Sequence, residues 1–540
     1  MNCLTLQFLF LPLPFFVTTV FSYLTVVSSF STNIYCVLSA FVWCVYLQLN
    51  YPVLIAAIFI CSIGGTFQYG FSISVMTSPS QFIKELVNKS CVERFDRILM
   101  DWEVSLIWSF TVSVFCIGGL LGSLIASSIS SRFGRKRCLL LNNFWAILGA
   151  ILMILSRTAN SFEMIMVGRF LYGINAGIGL SAQAMYLTES APKNLRAMVG
   201  VTIATALAIG KFCGQLLGIR ELLGTEKSWP WLLGFNGFTA LFQLCTLPLL
   251  PESPRFLLLE RGDLQASEKA FRKLWGKKDH SKEVVEMLEE KAALQSIRSC
   301  SVLELFQNRT VRWQLLSIVI VFTSLQLCGI NAVYFYSFDV FRAAGIQEHR
   351  LAYAALGTGL CELTTSIACS MIIESMGKKD LMFRGYIGMA ASLGLLSVTV
   401  YFQKTVWWLP YCSMVLVFVF IFFFSSGPAA TTIPLPGEIL TQSFKSAGYT
   451  VGCTVNWTCL FVLGSLFPIL VEHLGNFCFL IFLAVCLVCG FHVRFNMPET
   501  KDRTALEISA EFDRMHAKDK TSQKKNSSKI CEIKAQETKL

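Results

Sequence analysis

Past residue 50 the chain reads as twelve stretches of about 20 mostly apolar residues, and this constrains the fold more than any other feature. They run over residues 52–76, 104–127, 138–157, 162–187, 197–219 and 229–249. After a polar gap come 313–343, 351–374, 381–402, 407–433, 447–471 and 474–497. A helix of about 20 residues crosses the hydrocarbon layer, and a helix satisfies its own backbone hydrogen bonds there. The expected fold is all-α: twelve transmembrane helices as two six-helix halves, with cytoplasmic helices between them. Only 15% of the residues are charged, against about 25% in an ordinary soluble domain. That is too few to coat several soluble domains. A soluble enzyme, a disordered chain and a small secreted scaffold are all excluded.

The charges that do occur are placed, not scattered. None precedes Lys84, and about half fall in residues 252–312 and 499–540, where both signs mix. The net charge of +11 is therefore no phosphate-tracking stripe, and no nucleic-acid partner is implied. Basic clusters follow span 2 (Arg132, Arg135, Lys136, Arg137), span 4 (Lys193, Arg196) and span 8 (Lys378, Lys379, Arg384). All lie on one side of the membrane, with the middle loop and the tail, and that side is cytoplasmic. The loop after span 1 is then outside, and its Asn88-Lys89-Ser90 is a candidate glycosylation site. The cysteines lie almost entirely in apolar runs and read as small packing residues. No metal and no cofactor is implied.

Five segments follow: an apolar extension (1–50), an N-terminal half (51–250), a cytoplasmic helical linker (251–310), a C-terminal half (311–498) and a cytoplasmic tail (499–540). The extension is uncharged, broken by Pro12 and Pro14, and lacks the basic start of a signal peptide, so its orientation stays open. In the linker, Ala266, Ala270, Phe271 and Leu274, then Val284, Val285, Leu288 and Leu294, recur near helical spacing among charges.

Three signatures occur twice. Gly134-Arg135-Lys136 follows span 2 and Gly377-Lys378-Lys379 follows span 8. Glu189 precedes Arg196 by seven residues after span 4, and Glu438 precedes Lys445 by seven after span 10. Pro251-Glu252-Ser253-Pro254-Arg255 follows span 6, and Pro498-Glu499-Thr500-Lys501 follows span 12. The offsets are 243, 249 and 247 residues, so a six-helix unit is used twice. That is a transporter architecture, with the substrate between the halves near the midplane. Arg135, Arg169, Glu189, Arg196, Glu252, Arg255, Glu374, Lys378, Glu438, Lys445 and Glu499 form the expected cytoplasmic gate. They pair across the halves when the inner mouth is shut, or else they only set topology.

From about Ile55 to Glu507 the chain resembles the sugar-porter branch of the major facilitator superfamily, and within it the facilitative hexose transporters of animals. The resemblance rests on Gly64-Gly65-Thr66-Phe67-Gln68-Tyr69-Gly70, Gly134-Arg135-Lys136, Gly168-Arg169-Phe170 and Met185-Tyr186-Leu187-Thr188-Glu189-Ser190-Ala191-Pro192. Pro251-Glu252-Ser253-Pro254-Arg255, Gln326-Leu327-Cys328-Gly329-Ile330-Asn331, Asn456-Trp457 and Pro498-Glu499-Thr500-Lys501 complete it. It is nearest the fructose-, glucose- and urate-handling subgroup. It implies the major facilitator fold, a hexose substrate, a plasma-membrane monomer in contact with lipid, and no enzymatic chemistry.

The family's sugar site maps onto Gln326, Asn331, Asn456 and Trp457, with Tyr336 as outer-gate tyrosine and Gln68, Gln215 and Glu362 beside them. Amides suit hydroxyl pairs because each offers two donors and an acceptor without burying a charge. Other family positions differ: Leu325 and Ala204 replace glutamines, Glu362 an asparagine, Ser425 an acidic residue and Ile433 a tryptophan. Lost hydrogen-bonding groups change specificity. Proton-driven relatives carry an aspartate where this chain has Ser72, so uniport is expected. Lys211 and Glu362 are intramembrane charges that pair with each other, select an anion or bind a proton. Urate or another small anion is the alternative cargo, and a non-transporting sugar sensor the alternative class.

Overall fold

The computed structural model describes residues 51–515 except 193–194, 277–283, 286, 290–291, 293–300, 310, 373–376, 404, 442, 502, 504–506 and 513. The 1–50 extension, Glu374, Leu294 and the end of the tail lie outside the described residues.

Each of the twelve apolar stretches is helical, and no strand occurs among the described residues. Nine of the described helices are long and apolar enough to cross a membrane. The other three spans are helical as well, two of them carrying a charge and one interrupted. Span 5, Arg196–Leu217, carries Lys211; span 6 is split into Trp229–Leu233 and Phe235–Thr246; span 8, Leu351–Ile372, carries Glu362. Span 7 breaks into Arg312–Leu327, Ile330–Phe335 and Ser337–Ala343, and span 10 into Leu409–Ser426 and Pro428–Thr432 at Gly427-Pro428. One helix outside the spans, Ser80–Phe95, forms the loop after span 1.

Within the N-terminal half, span 4 (Phe162–Ser190) packs along span 2 (Asp101–Phe133) and span 3 (Arg135–Leu155), while span 5 packs on span 1. The approach of spans 2 and 4 is backbone to backbone. A side chain at Gly118 would stand 2.1 Å from the Phe170 carbonyl oxygen, and one at Gly173 2.0 Å from that of Phe115. Small residues let membrane helices gain dispersion energy where no hydrophobic force acts between them. In the C-terminal half span 9 (Lys378–Tyr401) packs on spans 10 and 12, and span 7 on span 11 (Lys445–Leu474). The halves meet along two seams, spans 2 and 11 and spans 5 and 8.

The first linker helix, Leu264–Trp275, starts where the Asp263 carboxylate accepts the Ala266 N–H at 2.9 Å. Its apolar face, Ala270, Phe271 and Leu274, is buried near the start of span 1. The Trp275 indole donates to the Ser190 carbonyl at 2.8 Å, which ties the linker to the end of span 4.

Candidate functional site

Span 7 supplies the centre of the site because its helix breaks. Gly329 sits at φ +96°, a conformation L side chains rarely adopt, and a side chain there would meet the Phe482 ring at 2.6 Å. The restart at Ile330 turns Asn331 back over the end of the first segment. Asn331 Nδ2 donates to Gln326 Oε1 at 2.5 Å, and Gln326 Nε2 donates to Asn456 Oδ1 of span 11 at 2.5 Å. Gln326 and Asn331 are buried and Asn456 is half-buried. Each amide keeps at least one N–H that this chain of bonds does not use. The result is an uncharged, multi-donor cluster of the type that hydroxyl pairs require.

Around it lie the other residues expected from the sequence. Tyr336 is buried with its ring 5.1 Å from that of Phe467, and its hydroxyl donates to the Gly464 carbonyl at 2.7 Å. Trp457 is fully buried, with Tyr69 at 5.4 Å and Phe115 at 6.0 Å, and its ring fills the space that a side chain at Gly119 would need. It plugs the seam between the halves, and both of those aromatic neighbours belong to the N-terminal half. Gln215 donates to Thr358 Oγ1 at 2.9 Å across the second seam. One turn along, Lys211 Nζ donates to both oxygens of Glu362, at 2.7 and 3.0 Å, over the Tyr334 ring at 4.2 Å.

Gln68 is not brought to this cluster. Its amide donates to Thr239 Oγ1 at 2.8 Å and lies 3.4 Å from the Asn236 carbonyl, while Asn236 donates to Ser72 Oγ at 2.8 Å. Gln68 and Ser72, four residues apart, share one helix face, and that face is turned to span 6. Of the replaced positions, Leu325 and Ser425 are buried while Ala204 and Ile433 are exposed. Sequence reasoning missed Tyr334 and Thr358. The signal was present: Lys211 and Gln215 are four apart, as are Thr358 and Glu362, so two matching pairs face each other.

The duplicated charge motifs become duplicated geometry. Glu252 Oε1 accepts the backbone N–H groups of Lys136 and Ser253 at 2.9 Å each, and Glu499 Oε1 accepts those of Lys378 at 2.9 Å and Thr500 at 3.0 Å. Each glutamate caps the first turn of a span, span 3 in one half and span 9 in the other. Each also occupies the place a side chain would take at Gly134 or Gly377, 2.6 Å away. Burial pushes the Glu252 carboxyl up, and its backbone donors pull it partly back.

Arg135 bonds Glu189 through Nε at 3.1 Å and Nη2 at 2.9 Å, reaches Glu260 at 2.5 Å and lies over the Phe256 ring at 4.7 Å. Ser253 Oγ donates to the other Glu189 oxygen at 2.6 Å. Lys378 pairs with Glu438. These gate residues thus pair within each half, because the turn at Gly134 and the returning 251–255 loop bring their partners to them. Arg196 and Lys445 begin spans 5 and 11, and Arg255 lies in the short helix Pro254–Leu259.

Arg169 is not part of that gate. It stands seven residues after the start of span 4, at the end of the molecule opposite Glu189. Fully buried, it donates to the carbonyls of Ser72 at 2.6 Å and Val112 at 3.1 Å, over the Phe115 ring at 4.5 Å. At 1.5 Å per residue it lies about 10 Å into the helix from the Phe162 end, too far from the gate to reach it. Asn88 is exposed on its helix, and the Ser90 hydroxyl of the same sequon donates to the Asn160 carbonyl at 2.9 Å.

Comparison with known proteins agrees with this geometry. The family model "Sugar (and other) transporter" matches residues 57–512. The chain is 41% identical over 459 residues to solute carrier family 2, facilitated glucose transporter member 9 of Mus musculus, covering 85% of each. It is 40% identical to member 11 of Homo sapiens, covering 86% of this chain and 94% of that one. To member 5 of Bos taurus it is 37% identical, covering 86% and 93%. Among solved structures, the proton:xylose symporter XylE bound to 6-bromo-6-deoxy-D-glucose superposes with a TM-score of 0.68 at 20% identity, covering 86% of this chain and all of that one. An inward-open XylE from E. coli superposes with 0.69 at 19% identity, covering 85% and 99%. Those structures share the major facilitator fold with it. Its polytopic architecture, twice-used charge motifs and matched length lead to one conclusion: the chain is a multi-pass membrane protein that belongs to the sugar (and other) transporter family.

Proposed function

We propose that this protein carries a hexose, fructose or glucose, down its gradient across the plasma membrane by alternating access, with residues 51–250 and 311–498 as the two rocking bodies. The observation that carries the reading is the uncharged amide chain Gln326, Asn331 and Asn456, set where span 7 breaks. Neutral amides recognise hydroxyl pairs without the desolvation cost of a buried ion. The curated relatives are named as facilitated glucose transporters, which supports the substrate class and a transporter in place of an enzyme. A free cation in the cavity would favour urate or another anion, but the Lys211 ammonium is taken up by both oxygens of Glu362. Uniport follows from span 1, which carries Ser72 and no acidic residue. The carrier works as a monomer, glycosylated at Asn88.

Uptake of labelled fructose, glucose and urate in oocytes, at acidic and neutral external pH, tests this. Saturable hexose uptake that ignores pH is the expected result. Urate uptake without hexose uptake would move the substrate class to anions, and binding without uptake would make the protein a sensor.

A further inference from the structure

We infer that Lys211 and Glu362 form an ionic lock that holds the outer end of the carrier shut and must part each time that end opens. Lys211 belongs to span 5 and Glu362 to span 8, one in each half, so rocking of the halves changes their separation. Their side chains are only 5% and 6% exposed, and the ammonium bonds both carboxylate oxygens. Further out the contacts continue, on both helices and in the turn that follows span 5. Gln215 donates to Thr358, and beyond them the Tyr353 hydroxyl donates to Glu221 at 2.9 Å. On the other seam Trp457 stands against Gly119, and Ser113 against Gly464. The inner-end ion pairs of Arg135 and Lys378 stay within their own halves, while Ala204 and Ile433 are exposed. The polar contacts that cross the span 5 and span 8 seam therefore sit at the middle and outer levels, and they zip that end closed.

Two other roles for the pair fit less well. As a sugar ligand it would need free donors and acceptors, yet in this orientation ammonium and carboxylate are spent on each other. As a proton carrier, Glu362 would have to hold a proton on one side and release it on the other. Here both of its oxygens accept from the Lys211 ammonium, which favours the ionised carboxylate over a proton-bearing one. A lock remains, and it sets which orientation the empty carrier prefers.

Removing one partner strands a buried charge, whereas removing both does not. The test therefore compares K211M/E362Q, which keeps the volume without the charges, with the exchanged pair K211E/E362K. Each is made in the full chain carrying Ser113→Cys as a reporter on the shut seam. The readout is the rate of labelling by a membrane-impermeant maleimide added outside, taken over the same protein without the reporter. Labelling of K211M/E362Q should be at least about fivefold faster than in the parent, and K211E/E362K should return toward the parental rate. A neutral pair that labels at the parental rate overturns the lock, as does an exchanged pair that labels as fast as the neutral one. The lock rests on the reading of this chain as an alternating-access carrier. Because the assay needs no sugar, a wrong substrate assignment leaves its outcome intact.

Discussion

Gln326 is the residue whose loss is most informative, because both ends of its amide are engaged. Its oxygen accepts from Asn331 and its nitrogen donates to Asn456, each at 2.5 Å. Gln326→Leu keeps nearly the same volume and removes both bonds, so one N–H and one carbonyl lose a partner at the point where cargo is expected to bind. Each stranded group costs about 1–3 kcal/mol. If even half of the combined loss is felt only when cargo is bound, about 1–3 kcal/mol, kcat/KM falls by about fivefold to 150-fold. Gln326→Glu is the informative companion. Ionised, it still accepts from Asn331 but has nothing to donate to Asn456; protonated, it regains a donor. Its uptake should therefore rise as external pH falls, while the parent stays flat. The assay is initial-rate hexose uptake at matched surface expression. If Gln326→Leu transports within about twofold of the parent, below the loss of a single net hydrogen bond, the amide cluster is not the cargo site.

Four further outcomes follow from the geometry. Gly329→Ala forces an L side chain into the left-handed region, costing about 1–2 kcal/mol before the contact with Phe482 is counted, so the melting temperature in detergent should fall by several degrees. Glu252→Gln should melt close to the parent, because burial already disfavours the charge and the amide oxygen can keep the two backbone bonds; Glu252→Ala should lose about 1 kcal/mol of cap. Arg169→Met and Arg169→Lys should both lower thermal stability and surface level, since two separated carbonyls need the guanidinium fork, and a stable Arg169→Lys would refute that role. Peptide-N-glycosidase should lower the apparent mass of the parent and leave Asn88→Gln unchanged, and no shift in the parent would place the sequon out of reach of glycosylation.

The spans were legible because a membrane imposes length and apolarity on every helix that crosses it, and twelve such stretches leave little else to build. The duplicated motifs were legible as well, and their meaning sharpened in three dimensions: Glu252 and Glu499 are helix caps at equivalent places, not merely matched letters. Direction around a helix was harder to read. Gln68 and Gln326 are the same residue type in similar surroundings, yet one faces span 6 and the other faces Asn456. A lone amide does not announce which neighbour it meets. Arg169 was misplaced for a different reason, since its Gly-Arg dipeptide looks like that of Gly134-Arg135 at the gate. Counting residues from Phe162 would have put it near the opposite end.

The interior charges bear on how such a carrier works at all. Lys211 and Glu362 cancel each other when the outer end is shut, which leaves Arg169 as a fully buried cation whose partners, Ser72, Val112 and Phe115, all belong to its own half. Arg169 is therefore anchored within the N-terminal body alone. Of these three buried charges, the two of the lock are the ones that part during a cycle, with one on each body. Opening hydrates both ions from the same side, so water entering the outer cavity offsets part of the energy of separation, and the remainder is what holds the empty carrier shut. A neutral cargo then needs to supply only the difference between the two orientations, which uncharged amides can provide with a few modest hydrogen bonds. An anionic cargo would instead compete with Glu362 for Lys211 and hold the lock open, slowing the closure on which its own transport depends.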